Sequence, residues 1–178
     1  DRKRFISLWQ KWYFLSFARL ADAKRVDLVV KAFTDIPNER LIVIYGKNDP
    51  QREKIFEIWK WYSNIEFITL DNNDLLYEYI GYAKATIYIP IDEDFGMSPV
   101  ESMSAGKPVL WVNEGWLKET IIHEKTWYLI DPWATIEWII KWVSYLTLER
   151  CNQMKNDCEK RAQEFSLEKF EEKLKKLV

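Results

Sequence analysis

Short apolar runs alternate along the chain with stretches whose apolar residues recur every three or four positions. The runs read as strands: residues 13–17 (YFLSF), 41–45 (LIVIY, ended by Gly46), 65–70, 85–89 (ATIYI, stopped by Pro90), 108–112 (PVLWV) and 127–130. Between them, Val26, Val29, Val30 and Phe33 fall at helical spacing within residues 24–35. Asp49-Pro50 predicts a helix start, with Asp49 as N-cap and Pro50 as first helical residue, ahead of Ile55, Phe56, Ile58 and Trp59. Further helices are expected over 74–82, over 98–105 with Gly106 as its stop, and over 117–122. From Trp133 the pattern is helical to the end, with an interruption near Phe165-Ser166.

Most of the strand runs are continuously apolar rather than alternating. That is the pattern of strands buried on both faces, typical of parallel sheets covered by helices. Six such units in series predict an α/β fold, a Rossmann-like doubly wound parallel sheet with helices on both faces and a helical tail. We expect one domain over residues 1–178, a βα core at 13–150 and C-terminal helices at 151–178. Ligands of such sheets bind at the carboxyl ends of the strands. That rule directs attention to Ala18-Arg19, Gly46-Lys47, Leu70-Asp71, residues 90–96 and residues 113–116.

Composition narrows the function classes. The 178 residues include 26 Lys+Arg against 28 Asp+Glu, a net charge of −2, which removes the main electrostatic case for a nucleic-acid partner. No uncharged apolar run approaches the roughly 20 residues that span a bilayer. The chain opens on charged residues without a Met, so no signal peptide is read and a fragment of a longer protein is expected. Cys151 and Cys158, about two helical turns apart, are too distant to pair and read as free thiols of a reducing, cytoplasmic compartment.

The segment 92–108 (DEDFGMSPVESMSAGKP) follows a buried run and opens a helix. Ser98, Pro99 and Glu101 have the spacing of an N-cap, a first helical residue and a capping box. Gly96 lies just ahead, and a helix N-terminus with free N–H groups suits a phosphate or diphosphate. Glu101 capping its own helix and Gly96 making a plain turn is the competing, purely structural reading. Arg19 and Lys24 fall at the same edge, and an Arg fork with a Lys point charge fits a diphosphate better than either cation alone.

The string 93–101 (EDFGMSPVE), continued by 102–109 (SMSAGKPV), resembles the signature of the family 4 retaining glycosyltransferases. Arg19-Leu20 with Lys24 is similar to that family's donor-phosphate element, and Asn113-Glu114-Gly115 with Lys118-Glu119-Thr120 to its next loop. The resemblance covers roughly residues 13–165 and implies one half of a GT-B fold, the C-terminal half that binds a nucleotide-diphosphate sugar, without the N-terminal acceptor domain. It implies that Arg19 and Lys24 bind the diphosphate and that Glu93 contacts the transferred hexose. Phe95, Gly96, Met97 and Ser98 would line sugar and phosphate, Glu101 would accept from the ribose, and Gly46 and Leu70 would border the base. It implies no cofactor and no metal, the nucleotide sugar being a substrate, and a glycan or lipid-linked acceptor. The isolated domain is expected to bind nucleotide and transfer little sugar. Trp116 stands where the family commonly has a second glycine, and is read as a packing residue.

Two rival readings are a GT-B nucleotide-sugar epimerase and a non-catalytic binding or interaction module. His123, the single histidine, has no spaced partner for acid–base work and reads as a helix-end residue. Trp133, Trp138 and Trp142 with Ile136, Ile139, Ile140 and Val143 read as burial against the sheet. An interface with an absent domain, or a peripheral membrane contact of the full-length protein, is the sharper alternative, with only Glu137 and Lys141 charged there. Phe170, Leu174 and Leu177 share a face of the charged tail and are expected to be partly uncovered.

Overall fold

The computed structural model describes residues 12–93, 96–113, 126–130, 133 and 135–176. The expected 117–122 helix, Phe95, Trp116 and His123 lie outside them. All six apolar runs form strands: β1 (Tyr13–Ser16), β2 (Arg40–Ile44), β3 (Ile65–Ile68), β4 (Ala85–Tyr88), β5 (Val109–Val112) and β6 (Trp127–Ile130). They make one sheet in the order β3-β2-β1-β4-β5-β6, and every neighbouring pair is parallel. The helices are α1 (Val26–Thr34), α2 (Arg52–Trp59), α3 (Asn73–Tyr82), α4 (Met97–Ser104), α5 (Ile136–Tyr145), α6 (Leu148–Gln163) and α7 (Leu167–Lys175).

The sheet is covered on both sides, as continuous apolar runs require. Phe14 meets Phe33 of α1 edge to face at 5.6 Å between centroids. Thr86, in register with Leu15, donates from its hydroxyl to Ser102 of α4 at 2.9 Å. Residues in register point to the same face, so α1 and α4 lie on opposite faces. α1 packs on α2 and α5, and α4 packs on α6. The sheet order and the opposed helices confirm the doubly wound α/β expectation.

Helix starts were less well anticipated than strands. Asp49 is no N-cap: α2 begins three residues later, after Gln51. The Asp49 carboxylate instead accepts from the Gly46 N–H at 2.9 Å and the Leu20 N–H at 2.8 Å, joining the loops after β1 and β2. Two amides from separate loops outcompete a local cap. α4 starts at Met97 with Gly96 (φ 64°) as its N-cap, so Ser98 is already helical and the Ser98–Glu101 capping box does not form. Lys24 ends a short 3-10 turn (Asp22–Lys24) rather than opening α1. The α4 C-terminus follows expectation. Gly106 (φ 69°) donates to the Met103 carbonyl at 2.9 Å and Lys107 N–H to that of Ser102 at 3.0 Å, a Schellman motif.

The terminal helical region breaks at Leu146-Thr147 as well as near Phe165-Ser166, with Thr147 and Ser166 hydroxyls capping α6 and α7. α5 buries Ile139 and Val143 in the same core cluster as Phe14 and Leu41 of the sheet and packs on α1, while Trp133 and Trp138 stay exposed. α7 buries none of its residues, and Phe170 and Leu174 are exposed as expected.

Both cysteines are buried in α6 as free thiols. Burial pushes Cys151 up to about 11 and Cys158 up to about 12. Each thiol also faces a carbonyl, Leu146 for Cys151 at 3.8 Å and Thr126 for Cys158 at 3.4 Å. A disulfide-exchange reagent at pH 8 is therefore expected to label neither thiol in the folded domain and both in guanidinium. Fast labelling of the folded protein would contradict the packing of α6.

Candidate functional site

The order β3-β2-β1-β4-β5-β6 places the switch point, where successive strands stop adding on one side of β1 and start adding on the other, between β1 and β4, where such folds open a crevice. The chain closes the two walls of that crevice onto each other. The Ile91 N–H donates to the Ala23 carbonyl at 2.7 Å. Arg25, which takes the left-handed conformation (φ 50°) and is 8% exposed, donates from Nε to the Ile89 carbonyl at 2.6 Å. One of its terminal nitrogens donates to the Pro90 carbonyl at 3.0 Å. Pro90 ends β4 because it has no N–H for the ladder, and Arg25 satisfies the carbonyls the departing chain leaves behind.

With Arg25 turned inward, its neighbour Lys24 faces the crevice. Lys24 Nζ binds the Glu93 carboxylate and donates to the Tyr88 hydroxyl at 3.0 Å. The Tyr88 hydroxyl donates in turn to Glu93 Oε2 at 2.9 Å. Partial burial works against the Lys24 charge, but the hydrogen bonds with Glu93 and Tyr88 prevail and raise it above the ordinary lysine value. Burial pushes the Tyr88 phenol up to about 12, so it remains a proton donor at neutral pH.

The structure thus brings two of the sequence-derived site residues, Lys24 and Glu93, into contact. Gly96 and Met97 form the N-terminus of α4 immediately beyond, with no side-chain cap among the described residues. Ser98 is spent within the helix, its carbonyl accepting from Ser102 at 2.8 Å. Glu101 is half-buried one turn further on, and burial raises its carboxyl above the usual range. No partner holds it among the described residues.

Arg19 stands apart from the lysine. Its side chain is 75% exposed, and Nε lies 3.8 Å from Asp49 Oδ1, on the β1–β2 side of the crevice with Gly46. Leu70 follows β3 and packs partly into the smaller apolar cluster with Leu15 and Ile44. Gly46 and Leu70 thus lie in the segments after β2 and β3 and have no described contact with Glu93. Phe95 lies outside the described residues. Among the described residues no group of three or more His, Cys, Asp or Glu could hold a metal. No described helix is long and apolar enough to cross a membrane.

Sequence reasoning missed Tyr88, Arg25 and Asp49. Tyr88 reads as one more apolar position of a strand, and Arg25 as one more charge beside Lys24. A tyrosine at the last position of a strand that points to a switch crevice was the one available signal.

With this geometry in hand, comparison with known proteins defines the class. Residues 1–165 match the family described as glycosyl transferases group 1, and the chain belongs to that family. It is 52% identical over 46 residues to the alpha-1,3/1,6-mannosyltransferase ALG2 of Dictyostelium discoideum, which covers 26% of this chain and 11% of that protein. It is 30% identical over 139 residues to a sucrose synthase of Solanum tuberosum, covering 66% of this chain and 17% of that one. The chain therefore spans a small part of these curated relatives' length. Among solved structures it superimposes on sucrose-phosphate synthase from Thermosynechococcus elongatus with a TM-score of 0.85 at 20% identity, covering 99% of this chain and 47% of the other. The C-terminal domain of a glycosyl transferase group 1 family protein (LpcC) from Francisella tularensis gives a TM-score of 0.72 at 16% identity, covering 85% and 84%. The fold is that of one half of a GT-B glycosyltransferase.

Tyr88 is 7% exposed and takes part in two of the three hydrogen bonds of this network. Tyr88→Phe is expected to lower stability by about 1 kcal/mol in urea unfolding at pH 7, with the slope unchanged. An unaltered midpoint would mean that the network does not form in solution.

Proposed function

We propose that this domain binds the nucleotide-diphosphate sugar of a retaining glycosyltransferase, which transfers a hexose to a glycan or lipid-linked acceptor held mainly by a second domain. The observation that carries this reading is the contact of Lys24, Tyr88 and Glu93 at the β1/β4 crevice, directly ahead of the α4 N-terminus. The C-terminal domain among the solved structures supports its assignment to the donor half. The mannosyltransferase and sucrose synthase names of the relatives support a hexose.

The chemistry follows from where charge develops. Breaking the sugar–phosphate bond leaves negative charge on the β-phosphate oxygens of the departing nucleoside diphosphate. Lys24, Arg19 and the N–H groups at Gly96 and Met97 would meet that charge with fixed positive polarity, which lowers the barrier without reorganisation at the moment of reaction. Glu93, steered by Tyr88, would accept from the hexose hydroxyls and fix the sugar against the leaving group. Glu101 would accept from the ribose. Gly46 and Leu70 would border the base, and Phe95 would line the sugar. No step in this scheme calls on a metal or a cofactor. A cytoplasmic setting, where two unpaired thiols persist, suits the scheme. Trp133 and Trp138 would face the companion domain or a membrane surface.

Calorimetric titration with GDP, UDP and ADP tests the reading. At least one should bind the isolated domain at or below millimolar concentration. Lys24→Met and Arg19→Ala should each weaken that binding about tenfold or more, the scale of a charged hydrogen bond. No binding by any of the three, or dissociation constants unmoved in both variants, would remove the donor site from this crevice. Nucleotide binding with no transfer by the full-length protein would favour the non-catalytic module.

A further inference from the structure

The amino-terminal edge of the sheet, opposite the crevice, carries a second hollow of about 380 Å³. That volume lies in the range of small-molecule sites and exceeds what a bare inorganic ion fills. Trp12, just before β1, forms one wall and is 51% exposed. Lys84 and Lys107, just before β4 and β5, supply two more positions, and α6 contributes Cys151, Asn152 and Lys155.

The three lysines differ in how their charges are met. Lys84 is 8% exposed and held by both oxygens of Glu39 at 3.0 and 2.8 Å, so its charge is answered. Lys155 is loosely answered by Glu159 at 3.8 Å, with both side chains substantially exposed. Lys107 is half-buried and has no acidic partner among the described residues. Burial, and then repulsion from Lys155, lowers its affinity for a proton. A half-buried cation left beside a second cation is a cost that folding alone does not relieve.

The arrangement is built rather than incidental. A Cβ at Gly106 would lie 2.6 Å from Lys155 Cγ and 2.9 Å from Glu159 Oε1, so the left-handed glycine that closes α4 also lets the lysine stem and the carboxylate that answers it lie against the backbone beside Lys107. α6 reaches the hollow through its N-terminal half.

We propose that this hollow is a second binding site, for a phosphate monoester. Lys107 and Lys155 take the phosphate, the Asn152 amide donates to it, and the Trp12 ring covers the organic body. Two ammonium groups facing one hollow match a dianion, and the remaining space beside an exposed indole suits an apolar or planar substituent. The site is separate from the donor crevice and does not depend on that reading.

The test is titration of the full chain with inorganic phosphate and with phenyl phosphate at constant ionic strength, followed through the amide resonances of Gly106, Lys107, Asn152 and Lys155. Saturable shifts at those amides are expected, with phenyl phosphate the tighter ligand and its advantage lost in Trp12→Ala. Lys107→Met should weaken both ligands about tenfold or more. Its melting temperature without ligand should be unchanged or raised, because an unanswered charge is removed. Lys155→Met, on an exposed position, should weaken them as well, and Lys24→Met should leave the shifts intact. Shifts that fail to saturate, that appear at Lys24 and Gly96 instead, or that survive in Lys107→Met would overturn the site. Equal affinity for the two ligands would overturn its assignment to a monoester.

Discussion

The geometry of the domain depends on the way Arg25 ties the end of β4 to the start of α1. Between β1 and β4 the order of strand addition switches sides and the following helices leave to opposite faces, so the connections part and a crevice opens at the strand ends. An arginine buried at that point would be costly without partners, since a guanidinium loses its hydration. Here the Ile89 and Pro90 carbonyls, left without ladder partners where β4 stops, take its donors. The two deficits cancel: unsatisfied acceptors meet a desolvated cation. Its left-handed backbone, unusual for a side chain of this size, is the strain this arrangement tolerates.

The direction of Lys24 follows from the same constraint. The 3-10 turn and the left-handed residue after it send consecutive side chains to different places, Arg25 into the protein and Lys24 into the crevice. Charge separation between neighbours along the chain thus becomes a division between a structural cation and an accessible one. The loop carrying Glu93 is in turn held by the Ile91–Ala23 hydrogen bond, so the carboxylate meets the lysine without searching. On the other wall, Asp49 does for the loops after β1 and β2 what Arg25 does for those after β1 and β4: one buried charge gathers backbone groups from two segments.

These contacts explain what the amino-acid sequence revealed and what it withheld. All six strands were legible within two residues at either end, because burial on both faces is written directly into runs such as LIVIY and ATIYI. The carboxyl edge of the sheet where Lys24 and Glu93 meet was legible too, since topology brings the loops after β1 and β4 together there. The helix start at Ser98 was misread because the left-handed Gly96 takes the N-cap position two residues earlier, and that at Asp49 because its carboxylate is drawn to the Leu20 N–H. A cap is a local hydrogen bond of about 1 kcal/mol, and a contact between distant segments of similar strength displaces it without any trace in the local pattern. Arg25 was hidden because its partners Ile89 and Pro90 are more than sixty positions away in sequence, and Tyr88 because, of its two partners, Lys24 is as distant and only Glu93 is near.

The crevice as it stands is charge-balanced, and that bears on how it would accept a donor. Lys24 stays protonated and Tyr88, pushed up to about 12, keeps its proton, so at neutral pH the direction of the hydrogen bonds is fixed from lysine through phenol to Glu93. Under the proposed function, an arriving diphosphate would compete with Glu93 for the ammonium. A carboxylate released from the lysine but still held by Tyr88 keeps one hydrogen bond and frees its remaining acceptor positions for hydroxyl groups. Binding the anion and presenting an acceptor to the sugar would then be one event, in which the phosphate would take over the role Glu93 plays at rest. A phenylalanine at position 88 could not support that exchange, since it would leave the displaced carboxylate with no donor to hold its direction.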